Sequence, residues 1–168
     1  MSTEVIVLTC LSIFSCIAMC VLVLLHLKRI IDVEHENNAD RYCVLLPHSY
    51  ALLGFIGFCV TMTALVISSI MQVNLYIQII IGLFAVLLIL FVFGTCLYRL
   101  VFVDGEIVKH TIFSKKKLNL SDITQKKSLS FGYCTKYFTN DKLAFVVNQD
   151  CIGVEYLQNQ TTDIKEID

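Results

Sequence analysis

Hydrophobic positions change rhythm twice along this chain. Residues 5–27 contain no Asp, Glu, Lys or Arg and are interrupted only by His26 near the end of the run. A membrane-crossing helix needs about 20 predominantly apolar residues, so 1–27 is expected to hold an N-terminal transmembrane helix. A cleaved secretory signal fits less well, because the opening MSTE has no positive charge and Lys28-Arg29 follow the apolar run at once, as in a stop-transfer segment. A second stretch, 49–98, carries no charged residue and no histidine. As one helix its roughly 50 residues would extend about 75 Å, more than twice the hydrocarbon thickness of a bilayer. It has to break, and the most polar point is Met71-Gln72-Val73-Asn74. Two helices over 50–71 and 75–98 result, a transmembrane hairpin with Pro47 just before it, where a missing N–H costs little.

Past Arg99 the period falls from 3.6 to 2. Residues 100–103 form an apolar run, Asp104-Gly105 is a hairpin dipeptide, and 107–113 resume in strand-like residues. Residues 114–117 are read as a polar turn, followed by Leu118, Leu120 and Ile123. Leu129, Phe131, Tyr133 and Tyr137 alternate with small or polar residues and predict one long strand, bulged at Gly132. Asn140-Asp141 turns the chain into 143–147, and residues 148–150 turn it again into a strand bearing Ile152, Val154 and Tyr156. The expectation is an antiparallel meander of about six strands over 99–168, its last residues a short helical turn or frayed. The fold class is thus an α+β membrane protein, three transmembrane helices followed by a small antiparallel β domain. A connecting loop over 28–49 joins the first two spans.

Composition sharpens this division. The 168 residues are 57% hydrophobic with a net charge of −1, and mean hydropathy is +0.74. No charge excess points to nucleic acid. Lysine and arginine are absent before the first span and near Gln72, whereas the 28–49 loop holds Lys28, Arg29 and Arg41, and the tail holds Arg99 and nine lysines. The positive-inside rule therefore puts the loop and the tail in the cytoplasm of a plasma-membrane protein, with the N-terminus outside. Two glycosylation sequons, at Asn119 and Asn159, are inert in that orientation.

Candidate chemistry is sparse. The eight cysteines include no CxxC pair, and those in apolar runs pack as small hydrophobes. Asp32, Glu34, His35 and Glu36 do not converge at metal-ligand spacing, so a solvated loop is expected there and no cofactor is implied. The spans lack the acidic and basic side chains that mark ion paths. Gln78, the most polar residue well inside a span, is placed to bond across helices. Gly57, Thr61, Ala64 and Ser68 recur at helical spacing, as do Gly82 and Ala85; such small residues bring helices close within a hairpin or a homo-oligomer. Candidate nucleophiles Ser121, Cys134 and Cys151 have only His110 as a tail histidine, and spacing alone does not assemble a triad. No enzyme is expected. Lys115, Lys116 and Lys117 are the candidate contact for anionic lipid, against the plainer reading of a solvated turn that protects a sheet edge.

A span, a hairpin reading VFVDGEIVKHTIF, a lysine-rich turn and the step LNLSDIT together resemble bacterial membrane-anchored PH-like domain proteins. The resemblance covers about 75–156. It implies a β-barrel-like binding or assembly module, commonly seven strands closed by a C-terminal helix, and not an enzyme. Six strands leave such a barrel incomplete unless the 28–49 loop or another subunit caps it. The expected role is interaction with protein or with the membrane surface, with the lipid bilayer and a protein partner or second copy as partners. The alternative is a subunit of a transport or channel complex.

Overall fold

The computed structural model describes residues 3–38, 41–129 and 133–166. They divide into two compact units, one of 1–28 with 48–96 and one of 29–47 with 97–168. The chain is a mixed helix-and-sheet protein.

The first unit is helical. Helix α1 spans Thr3–Glu36, α2 spans His48–Ile70 and α3 spans Leu75–Leu97. By length and composition all three can cross a membrane. The expected break falls where the sequence places it. Gln72 takes φ 54, and the Asn74 side chain accepts from the Tyr76 amide at 2.9 Å, capping the start of α3. Gln78 reaches across this turn, its amide donating to Val73 O at 2.9 Å and its carbonyl accepting from Ser69 Oγ of α2 at 3.2 Å. Phe58, Ala85, Val92 and Cys96 form the interior, with Met19 of α1 and Ala51 of α2.

The second unit is built from two four-stranded sheets. Strands β1 (Arg41–Leu45), β2 (Arg99–Val103), β3 (Glu106–His110) and β4 (Lys115–Asn119) pair in that order, all antiparallel. A 3-10 turn at Leu120–Asp122 leads to β5 (Gln125–Leu129), β6 (Cys134–Thr139) and β7 (Lys142–Asn148). Helix α4 (Val154–Gln160) follows, and then β8 (Lys165–Glu166), which lies parallel to β5 and completes the order β7-β6-β5-β8. The tail does hold six successive strands, β2 to β7, but they are divided between two sheets and are not the six expected. Asp104-Gly105 and Asn140-Asp141 each put two consecutive residues at positive φ, the backbone that a tight hairpin with twisted strands requires.

Several expectations are corrected. Residues 28–49 are not a loop: α1 continues to Glu36, and Arg41–Leu45 is a strand whose register runs from Arg41 opposite Val103 to Leu45 opposite Arg99. The run RYCVL is too short for its alternation to stand out beside the charges that precede it. The single long strand through Leu129 and Tyr137 is two strands folded back on each other, with Leu129 opposite Cys134. The bulge expected at Gly132 lies outside the described residues. Ile152 makes only an isolated bridge to Leu45, and Val154 and Tyr156 lie on α4, not on a strand. Val154, Leu157 and Thr161 follow one another at i, i+3 and i+7, and this helical stripe outweighs the local alternation. Lys115, Lys116 and Lys117 belong to β4; the turn before them is 111–114.

The core lies between the sheets. Tyr42 and Phe102 face each other in register on the inner face of the first sheet, rings stacked at 4.3 Å and 10°. Tyr137 stacks on Phe145 at 4.9 Å in the second. Helix α4 seals one side by burying Leu157, while its Gln160 Oε1 accepts from the Tyr42 hydroxyl at 2.9 Å. Burial, and then the neighbouring Tyr137, raises the Tyr42 phenol pKa, so this donor stays protonated. Gly153 holds the helix start under β1. At φ 76 its missing Cβ would meet Cys43 O at 2.5 Å, and on either side Leu45 and Ile152 exchange backbone bonds of 3.1 and 3.0 Å.

Candidate functional site

Alternation along a strand sorts the charged residues of the first sheet onto two faces. On the inner face, beyond the aromatic pair, Val44, Leu100, Lys109 and Lys116 form one cross-strand row. Lys109 spans to the second sheet, where its ammonium donates to Ala144 O at 3.1 Å. Tyr98, one residue before β2, donates its hydroxyl to Val146 O at 3.0 Å in the same way. Burial, with Lys116 alongside, lowers the Lys109 pKa.

On the outer face, one row runs Leu45, Arg99, His110, Lys115 across all four strands. His110 has its pKa lowered, first by partial burial and then by the cations Arg99 and Lys115 on either side. The three candidate lysines therefore separate. Lys115 joins Arg99 and His110; Lys116 turns to the inner face beside Lys109; Lys117 pairs with Glu106 at 3.7 Å. That last pair is exposed on both sides and contributes about 0–1 kcal/mol.

Between His110 and Lys115 the chain turns through Thr111 and Ser114, whose hydroxyls lie 2.9 Å apart. Phe113 projects from this turn and is 88% exposed. At the other end of the same sheet an open groove of about 720 Å³ is lined by Asp104, Glu106, Asn119, Ser121 and Gln160. The catalytic candidates do not meet across it. Asn119 is opposite Glu106 and Lys115 opposite His110, so Ser121 lies beyond one end of the ladder and His110 sits at the other, about 13 Å away along β3. Cys151 is buried, and burial raises its thiol pKa. Burial also pushes the Cys43 thiol up to about 11, partly offset by Arg99 and Arg29, so neither is an activated nucleophile. The acidic cluster Asp32, Glu34 and Glu36, with His35, lies on the last turns of α1, and His35 Nδ1 is spent on Ile31 O at 2.8 Å. Among the described residues no three such side chains gather at metal-binding geometry.

The helix-packing candidates are placed unevenly. Thr61, Ser68 and Ala85 are buried, whereas Ala64 is exposed. A Cβ at Gly57 would only touch Leu88 at 3.5 Å, and one at Gly82 would meet nothing within 4 Å. The close approach is at Gly54, where a Cβ would lie 2.7 Å from both Phe91 and Val92. Gly54, Phe58 and Thr61 follow at i, i+4 and i+7, a face of mixed size that a search for small residues alone passes over. Phe113 is likewise missed, because a single aromatic in a strand-like run carries no exposure signal. Comparison with family models, with curated proteins and with solved structures finds no match to this chain.

Proposed function

We propose that this chain is a multi-pass protein of the plasma membrane, N-terminus outside, whose β unit is a cytoplasmic PH-like module for binding protein or the membrane surface. The observation that carries the reading is the pairing of β1 with β2. Helices α2 and α3 are inserted between two strands that hydrogen-bond along their full length. Residues 41–45 and the tail must then share one side of any bilayer the hairpin crosses, which is what the distribution of Lys28, Arg29, Arg41 and Arg99 requires independently. The PH-like comparison gains support from β1, since four strands and three, followed by a helix, approach the seven-strand pattern that the tail alone lacks. A non-catalytic role draws on the separation of His110 from Ser121 and on the raised pKa values of Cys43 and Cys151.

Two measurements test this. A reporter fused after Asp168 should be active in the cytoplasm; activity only outside the membrane reverses the orientation. The intact protein in nanodiscs should retain a protein partner or show a lipid preference through its β unit, and loss of both in repeated captures would remove the binding role.

A further inference from the structure

Past α3, the exposed large hydrophobic side chains among the described residues are Phe113, Tyr133 and Leu143, and Phe113 is the most exposed of them. Its position along the sheet gives that exposure a direction. Strand β1 ends at Leu45, three residues before α2, and β2 begins at Arg99, two residues after α3. A chain advances at most 3.8 Å per residue, so this end of the sheet lies within about 11 Å and 8 Å of chain from the two helix ends. Strand β3 runs back toward the same end, because His110 is opposite Arg99. The turn 111–114 therefore projects past the row of Arg99, His110 and Lys115, at the end where the chain enters its apolar helices.

Charge is distributed in the same sense. The outer row at this end holds the cations Arg99 and Lys115 on either side of His110, while the opposite end holds Asp104 and Glu106 with Arg41. An exposed aromatic tip flanked by cations suits the interface of an anionic bilayer, where aromatic rings settle at headgroup depth and each nearby cation strengthens attachment. We propose that the β3–β4 tip is a bilayer contact, with Phe113 entering the interfacial layer and Arg99 and Lys115 facing anionic phospholipid headgroups. This rests on the reading of the β unit as a membrane-held module and names its partner as the lipid surface itself. Because a contact of this kind needs no soluble ligand, it would orient the module while leaving the 720 Å³ groove at the far end of the sheet open.

The chain contains no tryptophan, so Phe113→Trp introduces a single reporter at a site where the ring touches no core. The full-length F113W protein is placed in nanodiscs of phosphatidylcholine, with or without phosphatidylglycerol. The expected result is blue-shifted emission, quenching by lipids brominated near the headgroup, and stronger quenching in the anionic discs. Adding Lys115→Gln should lower that anionic preference about fivefold, the loss expected for one interfacial cation. An indole that aqueous iodide quenches equally with and without bilayer overturns the contact. So does quenching by brominated lipid that is indifferent to phosphatidylglycerol, and so does an indole shielded from lipid and iodide alike, as a protein partner or second copy would shield it. A cytoplasmic reporter combined with an aqueous indole removes the contact alone; a reporter active only outside removes the reading beneath it.

Discussion

The two units solve opposite burial problems. In the helical unit only 17%, 28% and 22% of the most apolar windows of α1, α2 and α3 are buried by protein, so most of their Leu, Ile and Phe side chains face outward. Those helices are specified one at a time, by hydropathy and length, which suffices for helices able to cross a membrane, where lipid would be the solvent for whatever the protein leaves uncovered. The β unit has no such solvent. Its apolar residues must find each other across the sequence, as Tyr42 finds Phe102 and Tyr156. Interior contacts should therefore matter more in the β unit than in the helices, and substitutions can weigh the two directly.

The largest effect is expected at Tyr42. Tyr42→Ala removes a buried ring, two stacking partners and the hydrogen bond to Gln160, and should cost about 4 kcal/mol, read as faster hydrogen exchange throughout β1, β2 and α4. Exchange confined to β1 would show that the aromatic cluster is not the shared core. Next is Gly153→Ala, which combines a positive φ with a 2.5 Å approach to the backbone of Cys43, for about 3 kcal/mol by the same measurement. Exchange rates unchanged from the parent would contradict a closed β1–α4 contact.

In the helical unit the matched pair is Gly54→Leu and Gly82→Leu. The first must displace Phe91 and Val92 and should weaken the hairpin by about 2 kcal/mol, seen in the rate of steric trapping or unfolding in detergent. The second meets open space and should change nothing on that scale. Equal effects would erase the distinction between the helix faces. The smallest effect concerns Cys43. Its pKa of about 11 is raised above the ordinary thiol value, so the folded state holds its proton longer than the unfolded chain. The stabilisation is complete below the unfolded thiol pKa and disappears as pH rises through about 11. Cys43→Ser should flatten that alkaline slope. In the folded parent, alkylation of Cys43 at pH 8 should be on the order of tenfold slower than in denaturant.

Legibility in the sequence follows from the same contrast. The break at 71–74, both hairpin dipeptides and the helix limits to within two residues for α2 and α3 were readable, because each depends on neighbours in the chain. Strand β1 was not, since its identity depends on Val103 to Arg99, more than fifty residues away across two helices. The alternation of Ile152, Val154 and Tyr156 misleads for a related reason: whether it is a strand or a helix stripe depends on the interior that Leu157 shares with Tyr42. The candidate lysines were found as a group and then divided by register, which alone tells Lys115 from Lys116.

By itself the sequence determined three helices of membrane-crossing length, the point where the second apolar stretch folds back, and a β tail begun by an Asp-Gly hairpin. Hydropathy and turn stereochemistry are local, and local interactions suffice for these. Only the tertiary structure decided that residues 41–45 complete the first sheet, that Gly54 and not Gly57 or Gly82 marks the tight helix contact, and that Phe113 stands exposed at the tip beside Arg99, His110 and Lys115. Each of these depends on which distant residue lies opposite, and cross-strand register and helix facing are settled by packing a shared interior.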